Sequence, residues 1–292
     1  MVLILFFSPL HVGTLTVPPS CDWALSDIFH FQRKTPKCTQ ASMRHSGREC
    51  QHNTATGSLH DRQACIACVE AASYRAIDPN VNHSHITPHL LDLLPMASAG
   101  ASPQVVDIGC GLAIYHLKIA AFYQGRATHL LVDRSANEVG KKRDYGFAVG
   151  GEFAFYNSLE CAVEILSANG VPRSQLRAVN ASAQGLQDIA DDSADVVMSL
   201  LSWGYHYPIS QYITQAVRML RPLHGRLLFT PSRWGDPKGQ METLRHAGLG
   251  CESLGSFVIC CRGCTTRSCA YGARQMGRPM CIYRRETNTV VK

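Results

Sequence analysis

The stretch QVVDIGCGLAIYHLKIAAF, residues 104–122, decides how the rest of this sequence is interpreted. Its first six residues predict a short buried strand, and IYHLKIAAFYQ, residues 114–124, predicts the helix that follows. Between them lie Gly109 and Gly111. Glycines let the backbone approach a ligand closely, and a helix N-terminus offers unpaired N–H groups. A strand, a Gly-x-Gly turn and a helix in this order predict a site for a nucleotide-like ligand.

The residues around the turn distinguish two classes of ligand. Dinucleotides favour G-x-G-x-x-G, whose third glycine falls on Ile114 here. Asp107 precedes the turn, and its carboxylate would repel a pyrophosphate but suit a ligand with an ammonium group. S-adenosylmethionine carries an ammonium and a sulfonium, so the charges favour this cofactor. Asp133, 22 residues beyond Gly111, ends the next predicted strand, where it can accept hydrogen bonds from both ribose hydroxyls. A turn without a ligand would leave both acidic residues unexplained.

Strands and helices alternate from about residue 87 onward, which predicts βαβ units. The expected fold class is α/β: a Rossmann-like, mostly parallel seven-stranded sheet with helices on both faces. The segment 157–172 predicts a helix with Asn157 as its N-cap and Asn169-Gly170 at its end. The later predicted strands are THLLVD (128–133), QLRAV (175–179), ADVVMSLL (194–201), RLLFTP (226–231), SFVICC (256–261) and MCIYRR (280–285).

Four motifs in this order resemble those of the class I S-adenosylmethionine-dependent methyltransferases: VVDIGCG (105–111), LLVDRS (130–135), DDSADVVMSLLSWGYHYP (191–208) and AVRMLRPLHGRLLF (216–229). The resemblance implies a cofactor site in which each position has a role. The methionine part would be cradled by Asp107, Gly109 and Gly111, the ribose held by Asp133, the adenine approached by Ser182, and the pocket floor formed by Leu200 and Leu201. Ala113 replaces a third glycine of the family, and the sequence predicts that this change is mild because alanine is the next-smallest residue.

The residues after the fourth predicted strand face the reacting methyl group in such a fold, because ligands lie at the carboxyl ends of the strands. His206 is the candidate general base, since the unperturbed pKa of histidine lies near neutrality. Trp203, Tyr205 and Tyr207 are candidates for a platform under the acceptor. Packing at the sheet edge is the alternative for all four side chains. Taken with YGF, FYNSLE and NGVP earlier in the chain, this segment loosely resembles bacterial methyltransferases that act on sugars or other small molecules.

The connection from Arg134 to Tyr156 is unusually long and contains four glycines, of which Gly146, Gly150 and Gly151 could act as hinges, and five aromatic residues. Connections of this length are often functional lids. The sequence therefore predicts a lid over cofactor and acceptor, with a plain surface excursion as the alternative. His116, at the start of the first helix, is predicted to cap or pack.

The charge is distributed unevenly along the chain. Residues 87–233 carry 12 basic and 12 acidic side chains, whereas residues 234–292 carry nine and four. A neutral central region without a basic–aromatic stripe disfavours a nucleic-acid partner. No stretch reaches the roughly 18 apolar residues that a transmembrane helix needs. The sequence does not determine the compartment: it favours the cytoplasm, and the apolar N-terminus leaves a secretory signal as the alternative.

Two parts of the chain lie outside this pattern. Residues 1–84 show no sustained periodicity and predict a poorly ordered or appended extension before a methyltransferase domain at 85–292. A Cys-rich insertion is expected near residues 260–281. The 13 cysteines allow three interpretations: a Cys₄ zinc site from Cys65, Cys68, Cys261 and Cys264, disulfides, or thiols without a special role.

The expected function is methyl transfer from S-adenosylmethionine to an oxygen or nitrogen of a small-molecule acceptor. Two rivals remain open. One is a binding module that has this fold but no turnover, and the other is a nicotinamide-dependent oxidoreductase, which Asp107 argues against.

Overall fold

The computed structural model describes residues 16, 18–21, 87–98, 100–134, 158–181, 186–200, 202–204, 208–231, 236–254 and 257–263. Seven strands of this part of the chain form one sheet. The strands are β1 (Gln104–Ile108), β2 (Thr128–Asp133), β3 (Leu176–Asn180), β4 (Val196–Ser199), β5 (Arg226–Phe229), β6 (Leu249–Leu254) and β7 (Phe257–Arg262). The helices are α1 (Thr87–Leu93), α2 (Tyr115–Phe122), α3 (Leu159–Ala168), α4 (Ile213–Met219) and α5 (Pro237–His246).

The sheet has the order β3-β2-β1-β4-β5-β7-β6 and is mixed. Strands β1 to β5 pair in parallel, whereas β7 runs antiparallel to both β5 and β6. The predicted α/β class and a seven-stranded sheet are confirmed, with six of the seven strands at predicted positions, and the purely parallel part ends at β5. The strand β6 is not among the predicted ones, because LGCESL alternates buried and half-exposed positions and contains glycine, glutamate and serine. The predicted strand at 280–285 lies outside the described residues.

Helices pack on both faces of the sheet, as the sequence predicts. On one face, Val106 and Ile108 of β1 share a core with Ile213 and Met219 of α4 and with Leu244 of α5. On the other face, Val105 packs with Leu90 of α1 and Ile119 of α2, while Leu131 packs with α2 and α3. Because both faces are covered, the central strands are nearly continuous apolar runs. Among the described residues, no helix is both long and apolar enough to cross a bilayer.

The helix α3 differs from its predicted start by its capping residue. Ser158, not Asn157, is the N-cap, and its Oγ accepts a hydrogen bond from the Cys161 N–H at 3.2 Å. Serine and asparagine are nearly equivalent caps, so the sequence pattern alone does not choose between neighbouring positions. The predicted end at Asn169-Gly170 is confirmed by the C-cap at Asn169 and by the positive φ of Gly170.

A short N-terminal segment is attached to α3. Cys21 is fully buried and forms a disulfide with Cys161, and Ser20 Oγ donates a hydrogen bond to Glu164 Oε2 at 2.8 Å. This part of the predicted extension therefore packs on the α/β domain. The rest of the extension, residues 1–15, 17 and 22–84, lies outside the described residues, so for these residues a poorly ordered or appended extension stays a prediction.

The described cysteines are mostly paired rather than free. Cys251 and Cys260 face each other on β6 and β7 and form a second disulfide, and Cys261 is disulfide-bonded as well. The interpretation of these cysteines as thiols without a special role is wrong. The zinc interpretation loses Cys261 as a ligand, while Cys65, Cys68 and Cys264 lie outside the described residues. Cys260 belongs to β7, so the predicted Cys-rich insertion begins no earlier than the end of that strand.

Candidate functional site

The strand order reverses between β1 and β4, and a cleft lies at the carboxyl ends of the strands there. In open α/β sheets this reversal is where ligands bind. The cleft is bounded by the ends of four parallel strands and by the segment that leads into α4. Its wall consists of Ile108, Gly109, Asp133, Arg134, Ala181, Ser202, Trp203 and Tyr212.

The glycine turn after β1 is packed tightly against the Ser202 side chain and is hydrogen-bonded to the backbone of Val132. Gly109 has a φ of +78°, and a Cβ atom at this position would lie 1.9 Å from Ser202 Oγ. The N–H groups of Gly109 and Cys110 both donate to the Val132 carbonyl, at 2.7 and 3.2 Å. The requirement for glycine here comes from conformation and from the close approach of the segment after β4.

Asp133 is bound to the same turn. Its Oδ2 accepts a hydrogen bond from the Gly111 N–H at 2.8 Å, and its Oδ1 accepts one from the Arg134 N–H at 2.7 Å. The side chain is almost buried and lies in the cleft wall. The structure thus brings together Gly109, Gly111 and Asp133, which the sequence predicts as parts of one site.

Ala113 is under greater conformational strain than the sequence indicates. Its φ is +53°, in the left-handed region that glycine adopts freely. A residue with a Cβ atom costs roughly 1–2 kcal/mol there. The prediction of a mild change at this position is wrong, because residue size was considered and backbone conformation was not.

Asp107 belongs to a buried cluster of three titratable side chains. Its Oδ2 lies 3.1 Å from His116 Nε2, and His116 Nδ1 lies 2.8 Å from His129 Nδ1. Both imidazoles are fully buried. His116 packs, as predicted, but it does not cap α2, whose N-cap Ile114 receives no side-chain hydrogen bond. Asp107 is not part of the cleft wall described above, so its contact with a methionine moiety stays a prediction.

Burial shifts the pKa of each of the three groups in the direction that favours its neutral form. The pKa of Asp107 rises from 3.8 to about 8 because burial penalises the carboxylate. The pKa of His116 falls to about 3 through burial. The pKa of His129 also falls to about 3, through burial and then the neighbouring charge of His116. The predominant state of the cluster at neutral pH is therefore uncharged.

These shifts predict a maximum in the cluster's contribution to stability near pH 6.5. The unfolded chain binds more protons at the two histidines below pH 6.5, so their contribution is lost as pH falls toward 3. Between about pH 4 and 8 the folded chain binds one more proton at Asp107 than the unfolded chain does. The contribution of Asp107 to the free energy of unfolding therefore falls as the pH rises to about 8. The resulting decline above pH 6.5 is on the order of 1–2 kcal/mol.

Denaturant unfolding of the wild type and of Asp107→Asn, repeated from pH 5 to 9, measures this decline. The unfolding free energy of the wild type is expected to fall steadily relative to that of Asp107→Asn between pH 6.5 and 8. The exposed Asp191→Asn serves as the matched control and is expected to show no such trend. A difference that is constant across this range would show that Asp107 titrates normally.

The segment after β4 is connected to β1 through Ser199. Its Oγ donates to the Ile108 carbonyl at 2.8 Å and accepts from the Trp203 N–H at 3.0 Å. Trp203 has no exposed surface and packs edge to face with Phe229, with ring centroids 6.1 Å apart. This placement agrees with the packing alternative for Trp203, although its Nε1 is buried without a hydrogen-bonding partner among the described residues. Leu200 packs toward the face that carries α1 and α2.

Several predicted site residues lie outside the described part of the chain. They are Ser182, Leu201, Tyr205, His206 and Tyr207. The same holds for most of the predicted lid between Arg134 and Tyr156. Their roles stay predictions. His129 is the site-adjacent residue that sequence reasoning missed: a histidine within the apolar strand THLLVD was the only local signal.

No protein-family profile matches this sequence, and no curated protein sequence matches it either. Solved structures do match. A geranyl diphosphate methyltransferase in complex with GPP and sinefungin shares 14% identity over 66% of this chain and 65% of its own, less than two thirds of its length, with a TM-score of 0.43. An O-methyltransferase family protein from Burkholderia thailandensis shares 13% identity over 82% of this chain and 71% of its own, with a TM-score of 0.44.

A third solved structure bears a different activity in its name. The [4+2]-cyclase SpnF shares 17% identity over 56% of this chain and 57% of its own, with a TM-score of 0.37. Likeness of this degree carries no information about the activity of this chain. The activity has to be argued from the residues of the cleft itself.

Proposed function

We propose that this protein is a class I methyltransferase that binds S-adenosylmethionine in the cleft between β1 and β4. The observation that carries the proposal is that three N–H groups of the turn are already hydrogen-bonded within the protein. Gly109 and Cys110 donate to the Val132 carbonyl, and Gly111 donates to Asp133. These are the groups that a dinucleotide-binding turn would present to a pyrophosphate. Because all three already donate within the protein, they are not free to bind a pyrophosphate, and the turn suits a ligand without phosphate groups.

The charges at the turn support a cationic ligand. Asp133 is held in the cleft wall by two backbone N–H groups, and Asp107 lies two residues before Gly109. The carboxylate of Asp133 in the cleft wall would repel a phosphate, and Asp107 would add to this repulsion only when it is ionised. Asp133 retains acceptor capacity for ribose hydroxyls, since each ionised carboxylate oxygen has two lone pairs.

The chain's own residues have defined tasks in this proposal. Bound S-adenosylmethionine would supply an electrophilic methyl group on a sulfonium. Asp133 would orient the ribose, and the turn at Gly109 would place the methionine part against the end of β1. The segment after β4 would align an oxygen or nitrogen of a small-molecule acceptor, with Trp203, Tyr205 and Tyr207 around it. His206 would hold the proton that the acceptor loses.

A nicotinamide dinucleotide is the second candidate, and one observation favours it. Arg134 lies in the cleft wall directly after the acidic residue of β2. In dinucleotide-binding folds, an arginine near this position accommodates the 2′-phosphate of NADP. This candidate predicts tight binding of NADP and weaker binding of S-adenosylmethionine.

Calorimetric titration of the full-length protein with S-adenosylmethionine, NAD and NADP separates these candidates. Micromolar binding of S-adenosylmethionine alone supports the proposal, and methyl transfer to any acceptor of a small-molecule panel completes it. Binding of either dinucleotide in preference to S-adenosylmethionine would refute it. Binding of S-adenosylmethionine without transfer, unchanged by His206→Ala, would favour the module without turnover.

A further inference from the structure

The buried cluster formed by Asp107, His116 and His129 is a continuous chain of hydrogen bonds. It runs from Asp107 on β1 through His116 on α2 to His129 on β2. Its two end atoms, Asp107 Oδ1 and His129 Nε2, are buried and have no hydrogen-bonding partner among the described residues. Buried polar atoms are rarely left unsatisfied in this way, so the cluster needs an explanation beyond packing.

The contact between the two imidazoles restricts the proton positions in the whole chain. A separation of 2.8 Å between His116 Nδ1 and His129 Nδ1 requires one nitrogen to donate and the other to accept. If His116 donates from Nδ1 and is neutral, its Nε2 must accept, and Asp107 must then carry the shared proton. If His129 donates from Nδ1, then His116 Nε2 donates to an ionised Asp107. The charge of Asp107 and the tautomers of both histidines therefore change together.

We propose that these three residues form a proton relay that lets Asp107 ionise when a cation binds at the glycine turn. In the uncharged arrangement, Asp107 Oδ2–H donates to His116 Nε2, His116 Nδ1–H donates to His129, and His129 carries its proton on Nε2. On ionisation, Asp107 passes its proton to His116 Nε2 and His116 passes its own to His129 Nδ1. The net change is the loss of one proton to bulk water, the one on His129 Nε2, and each imidazole remains neutral. The identity of the cation, the ammonium group of S-adenosylmethionine, rests on the proposed function.

The surroundings of the chain favour the uncharged arrangement in the free protein. Burial raises the pKa of Asp107 to about 8 and lowers the pKa of both histidines to about 3. The other titratable groups at this end are the Cys110 thiol and Asp133, and burial together with the two carboxylates raises the pKa of Cys110. Cys110 is therefore neutral, and burial alone is what disfavours a charge at Asp107. A bound cation reverses this balance by stabilising the carboxylate.

The relay explains why a single buried carboxyl is accompanied by two histidines. A buried carboxylate facing apolar side chains would be costly in every state. A chain of two imidazoles supplies an acceptor when Asp107 is protonated and a donor when it is ionised, without forming a buried imidazolium. A glutamine or asparagine at these positions could match both states of Asp107 only by rotating its amide group. It could not pass a proton.

Nitrogen-15 NMR of the histidine side chains in the full-length protein tests the relay directly. Without ligand, His129 is expected to carry its proton on Nε2 at pH 6.5 and on Nδ1 at pH 10, with both forms neutral. In Asp107→Asn this exchange of tautomers should be lost, whereas in Asp191→Asn it should persist. A His129 tautomer that stays constant across this range in the wild type, or a His129 that becomes an imidazolium near pH 6.5, would overturn the relay.

The ligand arm of the test uses S-adenosylmethionine at pH 7. Saturation should change the His129 tautomer from the Nε2–H to the Nδ1–H form. Titrations in two buffers with different ionisation enthalpies should show release of close to one proton per cofactor bound. Binding with neither change would overturn the coupling while leaving the proposed cofactor intact. If S-adenosylmethionine does not bind, the proposed function fails, and the pH arm without ligand still decides whether the relay exists.

Discussion

Replacing Gly109 by alanine is expected to lower the affinity for S-adenosylmethionine by about 100-fold or more and to destabilise the fold. Two costs add at this position. The φ of +78° places a Cβ atom in the left-handed region, which costs roughly 1–2 kcal/mol. The new atom would also lie 1.9 Å from Ser202 Oγ and 2.4 Å from Ser202 Cβ, so the segment after β4 has to move. Overpacking of this kind costs about 1–3 kcal/mol. Each loss of about 1.4 kcal/mol in binding free energy lowers the affinity about tenfold.

Gly100 provides a matched control for the conformational share of this cost. It has the same φ of +78°, but a Cβ atom there would meet nothing within 4 Å. Gly100→Ala should therefore lose roughly 1–2 kcal/mol of unfolding free energy and retain full affinity. Adding Ser202→Gly to Gly109→Ala should restore the part of the unfolding free energy and of the affinity that overpacking removes. Denaturant unfolding and calorimetric titration of the four proteins measure both effects, and a Gly109→Ala variant that matches Gly100→Ala would refute the close approach.

The sequence predicts the elements of this fold better than the contacts between them. Hydrophobic runs, the Gly-x-Gly turn and the end of α3 at Gly170 are local patterns, and the strand, turn and helix of residues 104–122 and the end of α3 are confirmed. The approach of Ser202 to Gly109 spans 93 positions and depends on β4 pairing beside β1. Likewise, the meeting of His116 with His129 depends on the parallel register that sets His129 opposite Val105. Neither register can be obtained from periodicity.

The errors of sequence interpretation at this site have a common physical origin. The left-handed conformation of Ala113 and the pairing of Cys21 with Cys161 follow from how the chain closes on itself, not from residue type. The strand β6 was missed because an edge strand needs fewer apolar residues than a central one. Such features can be inferred only once the sheet order is known, because that order determines which loops and strand ends become neighbours.

Removing the carboxylate of Asp133 is expected to produce the second largest loss of affinity for S-adenosylmethionine, again about 100-fold. Asp133 accepts hydrogen bonds from the N–H groups of Gly111 and Arg134, and hydrogen bonds to charged groups contribute about 1.5–3 kcal/mol each. In Asp133→Ala the Gly111 N–H loses its partner, and the turn is joined to β2 only through its hydrogen bonds to the Val132 carbonyl. The ribose hydroxyls of the proposed cofactor lose their acceptor as well. Asp133→Asn should be intermediate, because one side-chain oxygen remains.

Comparing ligand fragments shows which part of the loss comes from the ribose. Adenosine contains the ribose and methionine does not, so Asp133→Ala should weaken adenosine binding and leave methionine binding nearly unchanged. The control Asp192→Ala removes a half-exposed carboxylate that pairs with Arg262, where a loss of no more than about 1 kcal/mol is expected. Equal affinity of wild type and Asp133→Ala for adenosine would show that Asp133 supports the turn without contacting the ribose. The acidic residue at the end of β2 would then be needed for the shape of the cleft, and the recognition of the nucleoside would have to come from residues after β3.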